Sequence, residues 1–366
     1  MNRLWSARMQ VSTEDVIHNI NEIKRFIGDD VNIMPVIKDN GYGTMINDKF
    51  EIFDKTNIKI VAVAIVDEGA YLREKGYKGE IFVLNQPTED EIPSIEKYNL
   101  IVGIGSIDFL SILGKHKSKF RIHMEIGTGM GRTGIKPNRT QEYIDEALKY
   151  DNITIDGVYT HFSCSDCDRE YTKTQIELFN KSIEIVKKNI PNIRYIHCCN
   201  SAGILDYPEA HFNLVRPGII LYGYLPTEEL KNKINLRPCI KLKSKISFIK
   251  EVDKGTSISY GRTFITERKS IIATVPLGYA DGIRRSLSNK GYVVIKGEKV
   301  PIVGTVCMDC FMVDVTDIGG ADVGDDVYIW DNDKVTVEDI ANIYGTINYE
   351  VISTISNRVI REFTDM

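Results

Sequence analysis

NIMPVIKDNGYG, residues 32–43, sets an apolar run from Ile33 to Ile37 directly against Lys38, Asp39 and two glycines flanking Tyr42. The run reads as a buried strand and the polar tail as the turn that ends it. A lone lysine at a strand end usually points to water, so its meaning depends on the rest of the chain. Seven further β-rich runs follow: KIVAVAIV (59–66), EIFVLN (80–85), LIVGIG (100–105), FRIHMEIG (120–127), ITIDGVYTHF (153–162), YIHCCN (195–200) and FNLVRPG (212–218). Between them lie amphipathic stretches such as TEDVIHNINEIKRFI, whose Val16, Ile20, Ile23 and Ile27 recur at helical spacing behind a Ser/Thr cap. Strands alternating with helices imply a parallel sheet with right-handed crossovers. Eight such units predict an α/β fold, a closed (β/α)8 TIM-type barrel with chemistry at the C-terminal strand ends.

Those ends carry polar and glycine-rich residues. Lys38 and Tyr42 follow the first strand, and GTGMGRTG with Arg132 follows the fifth. His161 closes the sixth, His197 and Ser201 follow the seventh, and Arg216 sits just beyond the eighth. From about residue 236 the texture changes. IKLKSKISFIKEV, SIIATVPLGYA, GYVVIKGEKVPIVGTV and CFMVDVT alternate on a two-residue period, and VTVEDIANIY could form one short helix. The expected organisation is a strand in residues 1–10 (Trp5 to Met9) joining the C-terminal domain, a barrel over 11–235, and a mainly β domain over 236–366.

Composition excludes several classes. The 366 residues are 43% hydrophobic and 27% charged, ordinary for a globular protein of two domains. A net charge of −5 without a basic stripe gives no footprint for nucleic acid. No apolar run approaches the roughly 20 residues that cross a bilayer, and MNRLWSARMQVS lacks the apolar region of a signal peptide. The expectation is a cytoplasmic protein, or the cytoplasmic part of one whose membrane anchor lies outside this chain. Of seven cysteines, four form the pairs Cys164/Cys167 and Cys307/Cys310, about 140 residues apart, far beyond the usual spacing of a paired zinc site. No metal site is expected. Reduced, partly buried thiols are the expected state.

A lysine at a barrel mouth can bind phosphate, form a Schiff base, or do neither. A Schiff-base lysine serves pyridoxal 5'-phosphate (PLP) or a carbonyl substrate. PLP needs hydroxyl and amide donors for its phosphate and a partner for its pyridine nitrogen. CNSAG (199–203) and RPGIILYG (216–223) offer such groups, though ordinary turn chemistry also explains each.

MPVIKDNGYG, MEIGTGMGRTG, HFSCSD, HCCNSAG, RPGIILYG, SYGRTF, VPLGYADG, PIVGTVCMDCFMVDV and TISNR, in this order, resemble the motifs of the alanine racemase family. The resemblance runs from about residue 3 to residue 362. It implies a PLP-dependent barrel with a C-terminal β domain, working as a head-to-tail homodimer with shared active sites. Lys38 resembles the lysine that holds PLP and acts as base on one face of the substrate. Tyr42, Ser201, Gly218, Ile219 and Tyr222 resemble the phosphate cup, and Arg216 the arginine facing the pyridine nitrogen. Tyr279 is similar to the second base, with His161 and Arg216 behind it as a relay. His197 completes the cofactor surroundings, and Arg132 and the Met308 amide resemble the groups that orient cofactor and substrate carboxylate.

Two positions depart from the family pattern. Glu125 stands where many members carry a carbamylated lysine, and Gly127 where an aspartate is usual. Asn357 replaces a tyrosine bordering the substrate side chain, which makes room for a hydroxymethyl group and a hydrogen bond to it. This resembles the serine/alanine racemases of vancomycin resistance. The expected activity is therefore racemisation of serine, alanine or both, supplying D-amino acid to peptidoglycan precursors. The alternatives are a plain alanine racemase and, on the same architecture, a PLP-dependent amino-acid decarboxylase, whose cysteine context VGTVCMDC does not reproduce.

Overall fold

A computed structural model describes residues 7–364. The chain divides into two compact units. One comprises residues 16–41 and 46–237, and the other residues 7–15, Tyr42–Met45 and 238–364.

The first unit is the barrel. Its strands are β2 (Asn32–Ile33), β3 (Ile60–Val63), β4 (Glu80–Val83), β5 (Ile101–Ile104), β6 (Phe120–Glu125), β7 (Ile153–Tyr159), β8 (Tyr195–His197) and β9 (Leu214–Val215), β1 lying in the other unit. β3 to β8 form one parallel sheet in sequence order, and β2 pairs in parallel with β9. The circle is completed on one side by a parallel bridge between Val36 and Ala62, and on the other by the Arg216 amide donating to Cys199 O at 3.0 Å. Every residue of β3 and β5 is buried, as expected where helices cover one face of a parallel sheet and side chains fill the other. Val16, Ile20 and Ile23 of the helix Thr13–Ile27 are buried, the stripe its spacing predicts, with acids in its first turn and bases in its last.

The second unit is mainly β. Its strands are β1 (Arg8–Ser12), β10 (Ile240–Lys245), β11 (Phe248–Val252), β12 (Ser257–Ile258), β13 (Phe264–Ile265), β14 (Ser270–Val275), β15 (Tyr292–Ile295), β16 (Glu298–Val303), β17 (Phe311–Asp314), β18 (Asp326–Trp330) and β19 (Ile360–Thr364). Nine of them form one sheet, in the order β11-β14-β17-β16-β15-β18-β10-β1-β19. β1 lies between β10, antiparallel, and β19, parallel. Trp5 falls outside the described residues. VTVEDIANIY forms the helix Val337–Tyr344, capped by Thr336 and Asp339 and closed by Gly345 at φ 70°. A second helix, Asn348–Ser353, was not anticipated. Its apolar residues are too few to show a helical period.

All eight barrel strands are shorter than the predicted runs, and the first and sixth bear on the site. The first is assigned as strand only over Asn32–Ile33, yet its backbone bonds run on past Pro35, with Met34 N and Val36 N donating to Val215 O and Pro217 O and Ile37 N to Ala62 O. The sixth ends at Tyr159, so His161 lies on the loop beyond it.

Candidate active site

Lys38 is placed by the backbone just before it. Val36 N donates to Pro217 O and Ile37 N to Ala62 O, both at 2.8 Å, which fixes the strand end between its two barrel neighbours. The chain then makes a left-handed turn: Asp39, Asn40, Gly41, Tyr42 and Gly43 all have φ between 49° and 80°. Left-handed backbone costs roughly 1–2 kcal/mol for each residue with a Cβ, and Asp, Asn and Gly bear it best. The DNGYG composition supplies those residue types at four of the five positions. The Asp39 amide donates to the Glu68 carboxylate, and Gly41 N donates to Ile37 O at 2.9 Å. The amine of Lys38 has no hydrogen bond or ion pair among the described residues. Burial, followed by the charge of Arg132, lowers its pKa, against the opposing pull of Glu68 and Asp39. A lysine so treated is a better nucleophile and proton acceptor than one in water.

Arg216 is the centre of the barrel site and is 2% exposed. Its Nη2 donates to Thr160 O at 2.9 Å and Cys198 O at 3.0 Å and lies 3.3 Å from His161 Nδ1. Its Nη1 lies 2.7 Å from His197 Nδ1, whose Nε2 lies 2.9 Å from His123 Nδ1. A guanidinium only donates, so His197 Nδ1 accepts and that ring carries its proton on Nε2. Burial and the arginine charges keep the three imidazoles neutral. His161 and His197 are held well below the ordinary histidine value, and His123 is lowered to about 3. Tyr159 stacks on His197 with the rings 5° from parallel. The Nε–H of Arg216 has no acceptor among the described residues.

The other barrel groups lie on adjacent loops. The Gly218 amide donates to Ser201 Oγ at 3.0 Å. Asn200 caps Gly203 N and accepts from Ser165 Oγ at 2.8 Å, which fixes the start of the short helix carrying Ser201. Ile219 and Tyr222 are buried on the 3-10 turn that follows Gly218. The GTGMGRTG loop folds back on β6, with Gly127 N donating to Ile135 O and Ile135 N to Glu125 O. A Cβ on Gly134 would lie 2.6 Å from Gly127 N, so only glycine permits this approach. Arg132 is exposed and, among the described residues, has no ion pair. Glu125 does not reach it. One Glu125 oxygen accepts from Thr133 Oγ1 at 2.8 Å, and burial raises the carboxyl's pKa against the opposing pull of Thr133 and Tyr159.

Tyr279, Met308, Asn357 and Tyr42 belong to the second unit. Tyr279 is 44% and Met308 53% exposed. Tyr279 N donates to Cys307 O and Ala280 N to Met308 O, both at 3.0 Å. Asp281, fully buried, accepts from Gly278 N, and Arg358 lies 3.3 Å from it while donating to Asp309 at 2.8 Å. Asn357 is exposed on the turn before β19. Arg361 clamps that turn, donating to the carbonyls of Ile355, Ser356 and Val359, and its Nε donates to Gly43 O, beside Tyr42. The Tyr42 ring lies 6.1 Å from that of Tyr349.

His123, Asp281 and Arg361 were missed in the sequence reading. His123 had a signal: a histidine in the middle of an apolar strand needs a polar partner inside the barrel. Arg361 had none, since its acceptors are all backbone carbonyls.

The barrel presents an uncommitted amine, a buried guanidinium with one N–H to spare, and hydroxyl and amide groups on neighbouring loops. That set defines a protein built to hold an anionic aldehyde cofactor at a barrel mouth. Residues 11–226 match the family described as alanine racemase, N-terminal domain, and residues 239–363 the one described as alanine racemase, C-terminal domain. The chain is 40% identical to alanine racemase 2 of Caldanaerobacter subterraneus subsp. tengcongensis, over 97% of this chain and 94% of that one. It is 42% identical to alanine racemase 1 of Clostridium acetobutylicum, again over 97% and 94%. Among solved structures it is similar to alanine racemase of Clostridium difficile 630, with a TM-score of 0.94 at 35% identity, covering 99% of this chain and 97% of that one. Alanine racemase from Bacillus anthracis with bound L-Ala-P superposes with a TM-score of 0.91 at 31% identity, over 100% and 96%. The chain belongs to the alanine racemase family, isomerases that depend on pyridoxal phosphate. Among the described residues no helix is long and apolar enough to cross a membrane, and no group of three or more potential ligands could hold a metal ion.

Proposed function

We propose that this chain interconverts L- and D-alanine, with Lys38 holding the cofactor and Lys38 and Tyr279 moving protons on opposite faces of the substrate. The observation that carries the reading is the Lys38 amine, lowered in pKa and uncommitted, at the barrel's C-terminal edge. The residues fit pyridoxal phosphate: Lys38 for its aldehyde carbon, the Arg216 Nε–H for its ring nitrogen, and Ser201, Gly218, Ile219, Tyr42 and Tyr222 for its phosphate. When bound, the cofactor withdraws electrons from the substrate α-carbon and so acidifies its C–H bond. Arg216 cannot give up its proton, so it limits how strongly the ring draws electrons and favours return of the proton to the α-carbon. Arg132, free of any carboxylate partner among the described residues, orients the substrate carboxylate with the Met308 amide.

Racemisation needs one proton carrier on each face. Lys38 Nζ takes the proton of the D-enantiomer and returns it, and Tyr279 Oη serves the L-enantiomer. A phenol with an ordinary pKa of about 10 is a weak base at neutral pH. His161 answers this. With Nδ1 facing the donor-only Arg216 guanidinium, an Nε2–H can donate to the tyrosine oxygen and stabilise the phenolate. The exposure of Tyr279 and Met308 supports a homodimer in which they complete the partner's site.

The relatives named above are alanine racemases, so alanine replaces serine as the preferred substrate. Serine stays a secondary substrate through Asn357 alone. The vancomycin-resistance and decarboxylase readings find no support in these relatives, and the product D-alanine suits peptidoglycan precursors. The test is incubation with L-alanine, chiral chromatography, and borohydride trapping with peptide mapping. Convergence to equal enantiomers and a label on Lys38 are expected. Carbon dioxide release, unchanged L-alanine or a label on another lysine would refute the reading.

A further inference from the structure

We propose that Cys307 and Cys310 form a reversible dithiol–disulfide site whose state sets the position of the Tyr279 turn. The effect on activity rests on the reading of Tyr279 as a proton carrier; the bond itself does not.

The two cysteines face each other across the turn between β16 and β17. Cys307 N donates to Cys310 O at 2.9 Å. A bond between the first and fourth residues of a tight turn keeps their Cα atoms within about 7 Å, the outer limit of what a disulfide spans. Both thiols are free and half-buried. Burial and the neighbouring Cys307 sulfur push the Cys310 thiol up. A cavity of about 350 Å³, lined by Ser257, Ser259, Tyr260, Cys307 and Met312, gives access to Cys307. Ser259 Oγ lies 3.4 Å from Cys307 Sγ at its wall.

The same turn holds the tyrosine. Cys307 O and Met308 O accept from Tyr279 N and Ala280 N, and Arg358 joins Asp309 of this turn to Asp281 of the tyrosine turn. A Cβ on Gly278 would lie 2.3 Å from Met308 O, so the two turns are in contact and one cannot shift without the other. Closing an S–S bond inside a four-residue turn rotates the peptide units between the sulfurs, and those units carry the two carbonyls.

A peroxide supplies the oxidising equivalents. Cys307 thiol and hydrogen peroxide give a sulfenic acid and water. Cys310 sulfur then attacks the Cys307 sulfur, forming S–S and releasing a second water. A small thiol reverses the bond by exchange.

The experiment uses the PLP-loaded enzyme carrying Cys164→Ser and Cys167→Ser, treated with hydrogen peroxide, then alkylated and mapped by mass spectrometry. The expected result is a 307–310 peptide that has lost two hydrogens and resists alkylation, with L-alanine racemisation reduced about 10- to 100-fold, as sub-ångström misplacement of a proton carrier produces. Dithiothreitol restores both thiols and rate, and Cys310→Ser keeps the basal rate and never forms the linked peptide. Both cysteines alkylating after peroxide, or the linked peptide forming with the rate unchanged, overturns the proposal. If Tyr279→Phe in the reduced enzyme retains full activity, the tyrosine reading fails by itself, while the mass measurement still decides the bond.

Discussion

Arg216 is a buried cation with no carboxylate hydrogen-bonded to it among the described residues, surrounded by carbonyls and neutral imidazoles. That arrangement has a cost that pH exposes. The folded pKa of His123, about 3, lies below its ordinary 6.5, and His161 and His197 move the same way. Between those limits the unfolded chain binds more protons than the folded one, so stability falls as pH falls. Each such histidine costs up to about 1.4 kcal/mol per pH unit below 6.5. Urea midpoints should therefore drop steeply between pH 7 and pH 5, and His123→Asn should flatten the slope. A midpoint indifferent to pH over that range would mean the imidazoles are not neutral in the fold. At Asn357 the prediction is narrower. Asn357→Tyr should lower kcat/KM for serine relative to alanine about 10-fold, the value of one good polar contact in a pocket. Kinetics with both substrates check it, and an unchanged ratio makes Asn357 a bystander. The placement of Lys38 and Arg216 at barrel strand ends was legible in the sequence, because the apolar runs stop just before them. The hydrogen-bond chain through His123 was not, since it depends on which strands are neighbours.

At the scale of elements, the turn from Asp39 to Gly43 says most. Its glycines and Asp-Asn pair marked a turn in the sequence, but five successive positive φ values were beyond that reading, because Tyr42 disfavours the conformation by itself. Gly43 lies at φ 80°, and a Cβ there would lie 3.1 Å from Ile352 O. Gly43→Ala should cost roughly 1–3 kcal/mol through strain and crowding together. Thermal unfolding measures the loss, and cofactor affinity should weaken with it because the turn carries Lys38 at one end and Tyr42 at the other. Unchanged melting would show that the turn relaxes freely. The strand alternation made all eight barrel strands visible. Their ends were overextended, as where the sixth strand stops at Tyr159 and His161 lies on the loop beyond, since hydrophobicity continues past the last strand residue.

For the whole molecule, the two units hold different halves of the proposed chemistry: Lys38, Arg216 and Ser201 in the barrel, Tyr279, Met308 and Asn357 in the β unit. The change of texture near residue 236 lies beside Pro238, where the second unit's longest segment begins, whereas the return of Tyr42–Met45 to it had no signal in composition. Lys38→Ala should mainly stop proton removal from D-alanine and Tyr279→Phe from L-alanine, so each variant is expected to be nearly inactive alone. The most direct measurement mixes the two after subunit exchange has been shown. If each site takes Lys38 from one chain and Tyr279 from another, a hybrid dimer regains one intact site, and an equal mixture should recover about a quarter of the wild-type rate of alanine racemisation. A mixture that stays as inactive as its two components would contradict the account.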